Sequence, residues 1–219
     1  MRIAIDGTAA AGKGTLAKKI AEVLAYPYID TGALYRGVAL ISKQRGVAWD
    51  DEPSLTALTK ILEFSFVTSE VGFQLFCAGT DISKAIRTDD ISEGASLVSS
   101  CVGVRSALLQ LQKDLAKQEN VIMDGRDIGT VIMPDAEIKF YVDAKVEVRA
   151  QRRLAQMRAK GIDIEFDEVL ASLKQRDILD KTREHAPLMK AEDAILLDTS
   201  SSSIDESLSK MLGYIQRTS

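Results

Sequence analysis

Short apolar runs alternate with amphipathic stripes along most of the chain, as strands and helices do in a parallel α/β sheet. Residues 3–6, Ile-Ala-Ile-Asp, predict a first strand, and the stripe Leu16, Ile20, Val23 and Leu24 predicts a helix over 15–25. A brief extended piece over 28–30 and a helix over about 32–43, stopping near Gly46, come next. Asp51 and Pro53 mark a helix start, and Leu55, Leu58 and Leu62 continue its face. The rhythm then breaks. Residues 64–67 and 73–76 read as two strands joined by a turn ending at Gly72, and 79–81 as a further turn. This β-rich stretch, about 62–95, does not belong to the alternation and is expected to form an inserted lobe. The pattern resumes with a helical stripe at Val104, Leu108, Leu111 and Leu115 and strands over 121–124 and 138–142. Asp143 is placed to cap the following helix, which ends at Gly161. A helix over about 167–184, a strand over 194–197 and a stripe at Ile204, Leu208, Leu212 and Ile215 close the chain.

With 219 residues, 46% of them hydrophobic, the chain can bury one core with small lobes attached. A net charge of −4 makes it a poor general binder of nucleic acid. No apolar run reaches membrane-span length and no signal peptide is visible, so a cytoplasmic protein without a membrane partner is expected. Cys77 and Cys101 lack metal-like spacing and are expected to be free thiols. The single His185 is expected to be structural or solvated.

The strongest chemical signal is Gly7-Thr8-Ala9-Ala10-Ala11-Gly12-Lys13-Gly14-Thr15, between a predicted strand and a predicted helix. It fits G-x-x-x-x-G-K, in which small residues let backbone N–H groups curl around a polyphosphate at a helix N-terminus. Lys13 supplies a point charge for the β- and γ-phosphates. Gly14 stands where the pattern calls for Ser or Thr, which leaves open whether Thr15 reaches Mg²⁺.

Four further clusters have no evident packing role. They are Asp30-Thr31-Gly32-Ala33-Leu34-Tyr35-Arg36, the pair Ser96 and Arg105, Asp124-Gly125-Arg126-Asp127, and Arg176-Asp177-x-x-Asp180-x-x-Arg183 on one helix face. Alone, an arginine is more often a solvated charge, Asp127 a turn carboxylate, Asp124 a cap, and Arg176 with Asp180 a helical i, i+4 pair. Residues 149–183 hold nine Lys or Arg against six Asp or Glu, which reads either as solvated helix faces or as a lid that closes cations over a triphosphate.

Taken in order, these motifs resemble bacterial cytidylate kinases, nucleoside monophosphate kinases of the P-loop class. The matches are the phosphate loop, D-T-G-A-x-Y-R, I-R-T, V-R, D-G-R-D-x-G-T-V, R-x-x-x-D-x-x-R and A-P-L near Pro187. The resemblance implies a three-layer α/β/α core around a parallel sheet (1–30, 103–148 and 186–219). It adds an NMP-binding lobe over about 31–102 that carries the β insert, and a helical lid over about 149–185. It implies transfer of the γ-phosphate of ATP to CMP or dCMP by a monomer. Mg²⁺ would be held mainly by phosphates and water, with Asp124 orienting a bound water. Residues 7–15 with Arg149 and Arg153 would serve ATP, although Arg149, Arg152 and Arg153 are not ranked. Arg36, Arg126 and Arg183 would hold the acceptor phosphate by bidentate contacts. Ser96, Arg105 and Asp127 would read cytosine, Arg176 and Asp180 the sugar, and Thr31 and Tyr35 would line the acceptor site.

Other kinases on the same core, acting on UMP, AMP or shikimate, are rivals. A guanine-nucleotide switch is disfavoured because its N-K-x-D motif is absent: the one asparagine, Asn120, is followed by Val121. A nucleic-acid-dependent ATPase is disfavoured by the acidic balance.

Overall fold

The computed structural model describes residues 1–69 and 72–218. Its centre is a five-stranded sheet built from β1 (Arg2–Gly7), β2 (Tyr28–Asp30), β6 (Val121–Asp124), β7 (Ile138–Asp143) and β8 (Ile195–Asp198). The spatial order is β2-β6-β1-β7-β8 and every pairing is parallel. The inner strands read as unbroken apolar runs because both of their faces are covered. Ile3, Ile5, Ile122, Phe140 and Val142 are all buried. Helix α1 (Lys13–Leu24) lies against β1, β2 and β6 and meets the C-terminal helix α8 (Ile204–Thr218).

Between β2 and β6 the chain forms α2 (Gly32–Gln44), α3 (Glu52–Lys60), β3 (Phe64–Ser69), β4 (Gly72–Cys77), β5 (Thr80–Asp81), α4 (Asp89–Val98) and α5 (Val102–Leu115). Asp51 caps α3 by accepting from the Ser54 N–H, as the Asp-x-Pro start predicts. Strands β3, β4 and β5 make a separate antiparallel sheet. Phe73 stacks on Phe66 at 5.9 Å and meets Tyr28 edge-on at 6.5 Å, joining this sheet to the core. The expected turn ending at Gly72 falls on residues 70 and 71, outside the described residues. The expected turn at 79–81 is a two-residue strand, since Ala78 and Gly79 already reverse the chain with positive φ. A helix, α4, also begins within 62–95: beside Gly94 and Ser96 it buries only three apolar side chains, Ile91, Ala95 and Val98, too sparse a stripe to stand out beside the aromatic strands.

After β7 come α6 (Val146–Ala159) and α7 (Phe166–Thr182). Asp143 does not cap α6. Its Oδ1 accepts from the Thr8 hydroxyl at 2.6 Å and from the Ala144 N–H, and Lys145 holds the N-cap position without a side-chain bond. α7 stops two residues short of Glu184 because Arg183 turns extended, with ψ 143°. The last strand starts one residue later than the apolar run suggests. Both cysteines are free and buried.

Candidate active site

The phosphate loop leaves β1 at Gly7 and enters α1 at Lys13. Gly7 has φ +142°, and a Cβ there would lie 1.9 Å from the Val142 carbonyl oxygen, so only glycine passes. Ala10 and Gly12 also have positive φ, which curls the loop. Side chains from distant segments brace it. Arg149 donates to the Ala9 carbonyl at 3.1 Å and pairs with Asp177 at 2.5 Å, and the Thr199 hydroxyl donates to the Ala11 carbonyl at 3.0 Å. Arg152 in turn donates to Thr199. Lys13 lies buried along the loop and donates to the Thr8 carbonyl at 2.7 Å. Burial, reinforced by the nearby Arg126 charge, brings its ammonium down to about 7.

The loop opens into a cleft of about 740 Å³. The structure brings into its lining Ala9, Ala10, Lys13, Thr31, Tyr35, Arg36, Ser96, Arg105, Asp124, Arg126, Asp127, Arg153, Arg176, Asp180 and Arg183. Arg149 is buried behind the loop, and Thr15 is exposed.

Opposite charges interlock along the far wall. Arg126 pairs with Asp180 at 2.7 Å, Arg105 with Asp127 at 2.5 Å, and Arg36 with Asp30 at 2.6 Å. Arg183 lies 3.6 Å from Asp127 and 3.9 Å from Asp180, and donates to the Ala186 carbonyl. Asp180 therefore answers Arg126 on β6's loop, and the alternative of a helical i, i+4 ion pair with Arg176 does not occur among the described residues. Burial opposes ionisation of Asp180, but Arg126 and Arg176 outweigh it and hold the carboxyl below its usual range. Among the described residues the buried Arg176 Nε and Ser96 hydroxyl have no hydrogen-bond partner. Burial and the Arg126 charge lower the Arg176 guanidinium to about 10. A buried cation and hydroxyl facing a cleft without partners are groups that suit an anionic, polar ligand.

Asp124, at the end of β6, accepts from the Tyr28 hydroxyl at 2.6 Å. Burial first, and the Asp30 charge second, raise its carboxyl to about 6. Both side chains approach Gly14: a Cβ there would lie 3.6 Å from the Tyr28 hydroxyl and 3.8 Å from Asp124 Oδ2. Among the described residues no group of three or more His, Cys, Asp or Glu could hold a metal ion.

Several contributors have roles that the sequence motifs do not assign. Thr199, Asp143 and Asp177 brace the phosphate loop, and Asp6 accepts from the Ile128 and Gly129 N–H groups. Asp6 leaves a trace in the sequence as a carboxylate in an apolar strand, Asp143 as a cap candidate and Asp177 as a member of the late-helix cluster, but none of these signals names the role. Their contacts act across more than a hundred residues or through a helix face, where spacing says nothing.

A family model described as Cytidylate kinase matches residues 3–217. The chain is 46% identical to Cytidylate kinase 1 of Haemophilus influenzae, over 99% of this chain and 94% of that protein. It is 43% identical to the Cytidylate kinase of Bacillus subtilis, over 100% and 98% of the two chains. It is also similar to the solved shikimate kinase from Acinetobacter baumannii, with a TM-score of 0.50 and 16% identity over 99% and 93% of the chains, a likeness of fold alone. The phosphate loop, the arginine-lined cleft beside it and near-full-length identity agree, and the chain belongs to the cytidylate kinase family.

Proposed function

We propose that the protein transfers the γ-phosphate of ATP to CMP or dCMP, giving ADP and CDP or dCDP. The observation that carries this reading is one cleft lined both by Lys13 with its loop and by Arg126, Arg176 and Arg183. Phosphoryl transfer needs alignment and charge neutralisation more than covalent help. Residues 7–15 would cradle the triphosphate through backbone N–H groups, with Lys13 on its outer phosphates. Arg36, Arg126 and Arg183 would grip the acceptor phosphate, which needs no strong base because it is already an anion. Arg105, Asp127 and Ser96 would face cytosine, whose N4 amino group suits a carboxylate; Thr31 and Tyr35 line the same end. Arg176 and Asp180 would hold the sugar.

Mg²⁺ supplies charge neutralisation at the phosphates. The residues present fit an ion held by phosphate oxygens and water: Asp124 stands beside Gly14, where it could orient a metal-bound water, and among the described residues no group of three or more His, Cys, Asp or Glu could hold the ion directly. Arg149 would act by bracing the loop, while Arg153 faces the cleft. Arg153 pairs with Asp89 of α4, and Lys160 lies 3.7 Å from the same carboxylate. These contacts support segment 149–185 as a lid over an acceptor lobe at about 31–102. With this reading goes a monomer that acts on small nucleotides without nucleic acid or a membrane. Among the described residues, no single helix is long and apolar enough to cross a membrane. A cytoplasmic setting agrees with two free cysteines.

The test is ADP release from Mg-ATP with CMP, dCMP, UMP, AMP and GMP. CMP and dCMP are expected to be turned over fastest; a preference for UMP or AMP overturns the assignment.

A further inference from the structure

Asp6 is 4% exposed and has no ion-pair partner among the described residues. Its Oδ1 accepts from the Ile128 N–H at 2.8 Å and its Oδ2 from the Gly129 N–H at 2.7 Å. Those two N–H groups open the single wide turn Ile128–Ile132, and the side chain of the preceding residue, Asp127, does not cap it. The turn is closed further on, where the Val131 N–H donates to the Asp127 carbonyl and the Met133 N–H to the Ile128 carbonyl. At its other end the same segment is tied to β1 again, since the Gly125 N–H donates to the Ile5 carbonyl at 3.0 Å. Consecutive residues of one strand, Ile5 and Asp6, thus hold both ends of the segment that carries Arg126 and Asp127. The next residue of that strand, Gly7, begins the phosphate loop.

A buried carboxylate without a salt bridge is costly, and burial pushes this one up to about 7 although the two N–H bonds and the Lys13 charge oppose the shift. A carboxylate, with two acceptor oxygens in one plane, gives each of two successive N–H groups an acceptor of its own. We infer that Asp6 is a positioning residue for the acceptor site: it clamps the N–H groups after Asp127 and so fixes how Arg126 and Asp127 project into the cleft. The clamp references donor and acceptor loops to one rigid strand, the alignment that an in-line transfer demands. This inference rests on the roles proposed above for Arg126 and Asp127.

Asp6→Asn keeps the shape but turns an NH₂ group toward one of the two N–H donors. We expect a folded protein with faster amide exchange at Ile128 and Gly129. Its kcat/KM for CMP should fall about ten- to hundredfold, as for a displaced binding group. The CMP-over-UMP ratio should narrow by about threefold or more, with the KM for ATP within about twofold of the parent. Unchanged exchange at the two amides overturns the clamp. So does a proportional loss with CMP and UMP together with a raised KM for ATP, which would place Asp6 in service of the phosphate loop. Should Asp6→Asn fail to fold, Gly129→Ala asks the same question from the other side. Its Cβ would lie 3.4 Å from Asp6 Oδ2 and 3.1 Å from Lys139 Cδ, and it should narrow the same ratio; an unchanged ratio counts against the clamp. A parent enzyme that ignores CMP would sink the proposed function and leave the exchange result standing as a test of the clamp.

Discussion

Replacing Asp127 with asparagine separates two jobs that one carboxylate is proposed to hold. Asp127 is buried, with Arg105 at 2.5 Å and Arg183 at 3.6 Å. Removing one partner of a buried pair costs about 3–5 kcal/mol. Here the cost should sit near the lower end, about 3 kcal/mol, because Arg105 keeps the Ser99 carbonyl and the Tyr35 ring, and Arg183 keeps the Ala186 carbonyl. In a protein of this size that lowers Tm by about 6–12 °C. Recognition is a separate quantity. A charge-assisted bond to the cytosine N4 amino group is worth about 1.5–3 kcal/mol, so the CMP-over-UMP ratio in kcat/KM should fall about ten- to 150-fold. The asparagine NH₂ can donate to uracil O4, so part of that change should be a gain with UMP; Asp127→Ala should narrow the ratio without that gain. Thermal melts and paired kinetics with the two nucleotides measure both effects. A lower Tm with CMP and UMP activity reduced in equal proportion would show that Asp127 serves Arg105 and the fold, and does not read the base.

Two further outcomes follow from the same cleft. Because Lys13 sits near 7 in the free protein and a triphosphate favours its charged form, ATP binding should take up about half a proton at pH 7 and nearly one at pH 8. Calorimetry in buffers of different ionisation enthalpy reads this uptake, and Lys13→Met should abolish it; binding heat independent of the buffer would refute it. Arg126→Ala should lower kcat by about 10²–10³, as for a lost transition-state contact, while Asp180→Ala should mainly alter the CMP/dCMP ratio. Equal losses with both nucleotides for Asp180→Ala would undo the sugar assignment.

The parts of this site legible in the sequence are those whose chemistry is local. The phosphate loop is nine consecutive residues, with an apolar strand before it and an amphipathic helical stripe after it. The acceptor residues came through motif resemblance, because Arg36, Arg105 and Arg183 have no local pattern that distinguishes them from solvated arginines. What stayed hidden is pairing. Asp180 has Arg176 four residues away on its own helix, yet its carboxylate turns to Arg126, 54 positions earlier in the chain. Asp143 looks like a cap because it ends a strand before a helix, and the Thr8 hydroxyl 135 residues away takes its oxygen instead. Arg149 has the spacing of a lid cation and is consumed by Asp177 and the Ala9 carbonyl. In each case a local partner competes with a tertiary one, and only the fold decides between them.

Those tertiary pairings also explain the charge state of the empty cleft. Burial lowers Lys13 to about 7 and Arg176 to about 10, and raises Asp124 to about 6, so each group moves toward neutrality. For Lys13 the folded value lies below the unfolded one. Its burial therefore weighs against the native state below about pH 7, and that penalty fades as pH rises toward the ordinary lysine value of 10.5. On the proposed reading a triphosphate would reverse the shift on Lys13, so part of its binding energy would go to restoring a charge that burial has made unfavourable, whereas Arg176, at about 10, keeps its charge at neutral pH. Arg126, Arg105 and Arg36 are different, because each already has a carboxylate within 2.7 Å. On the proposed reading a ligand at these arginines would have to share or displace those carboxylates, which hold the arginines aligned and would limit how tightly a bare anion binds them. Lys13 is then the group expected to gain most from a ligand, and the paired arginines are the groups expected to decide which ligand fits.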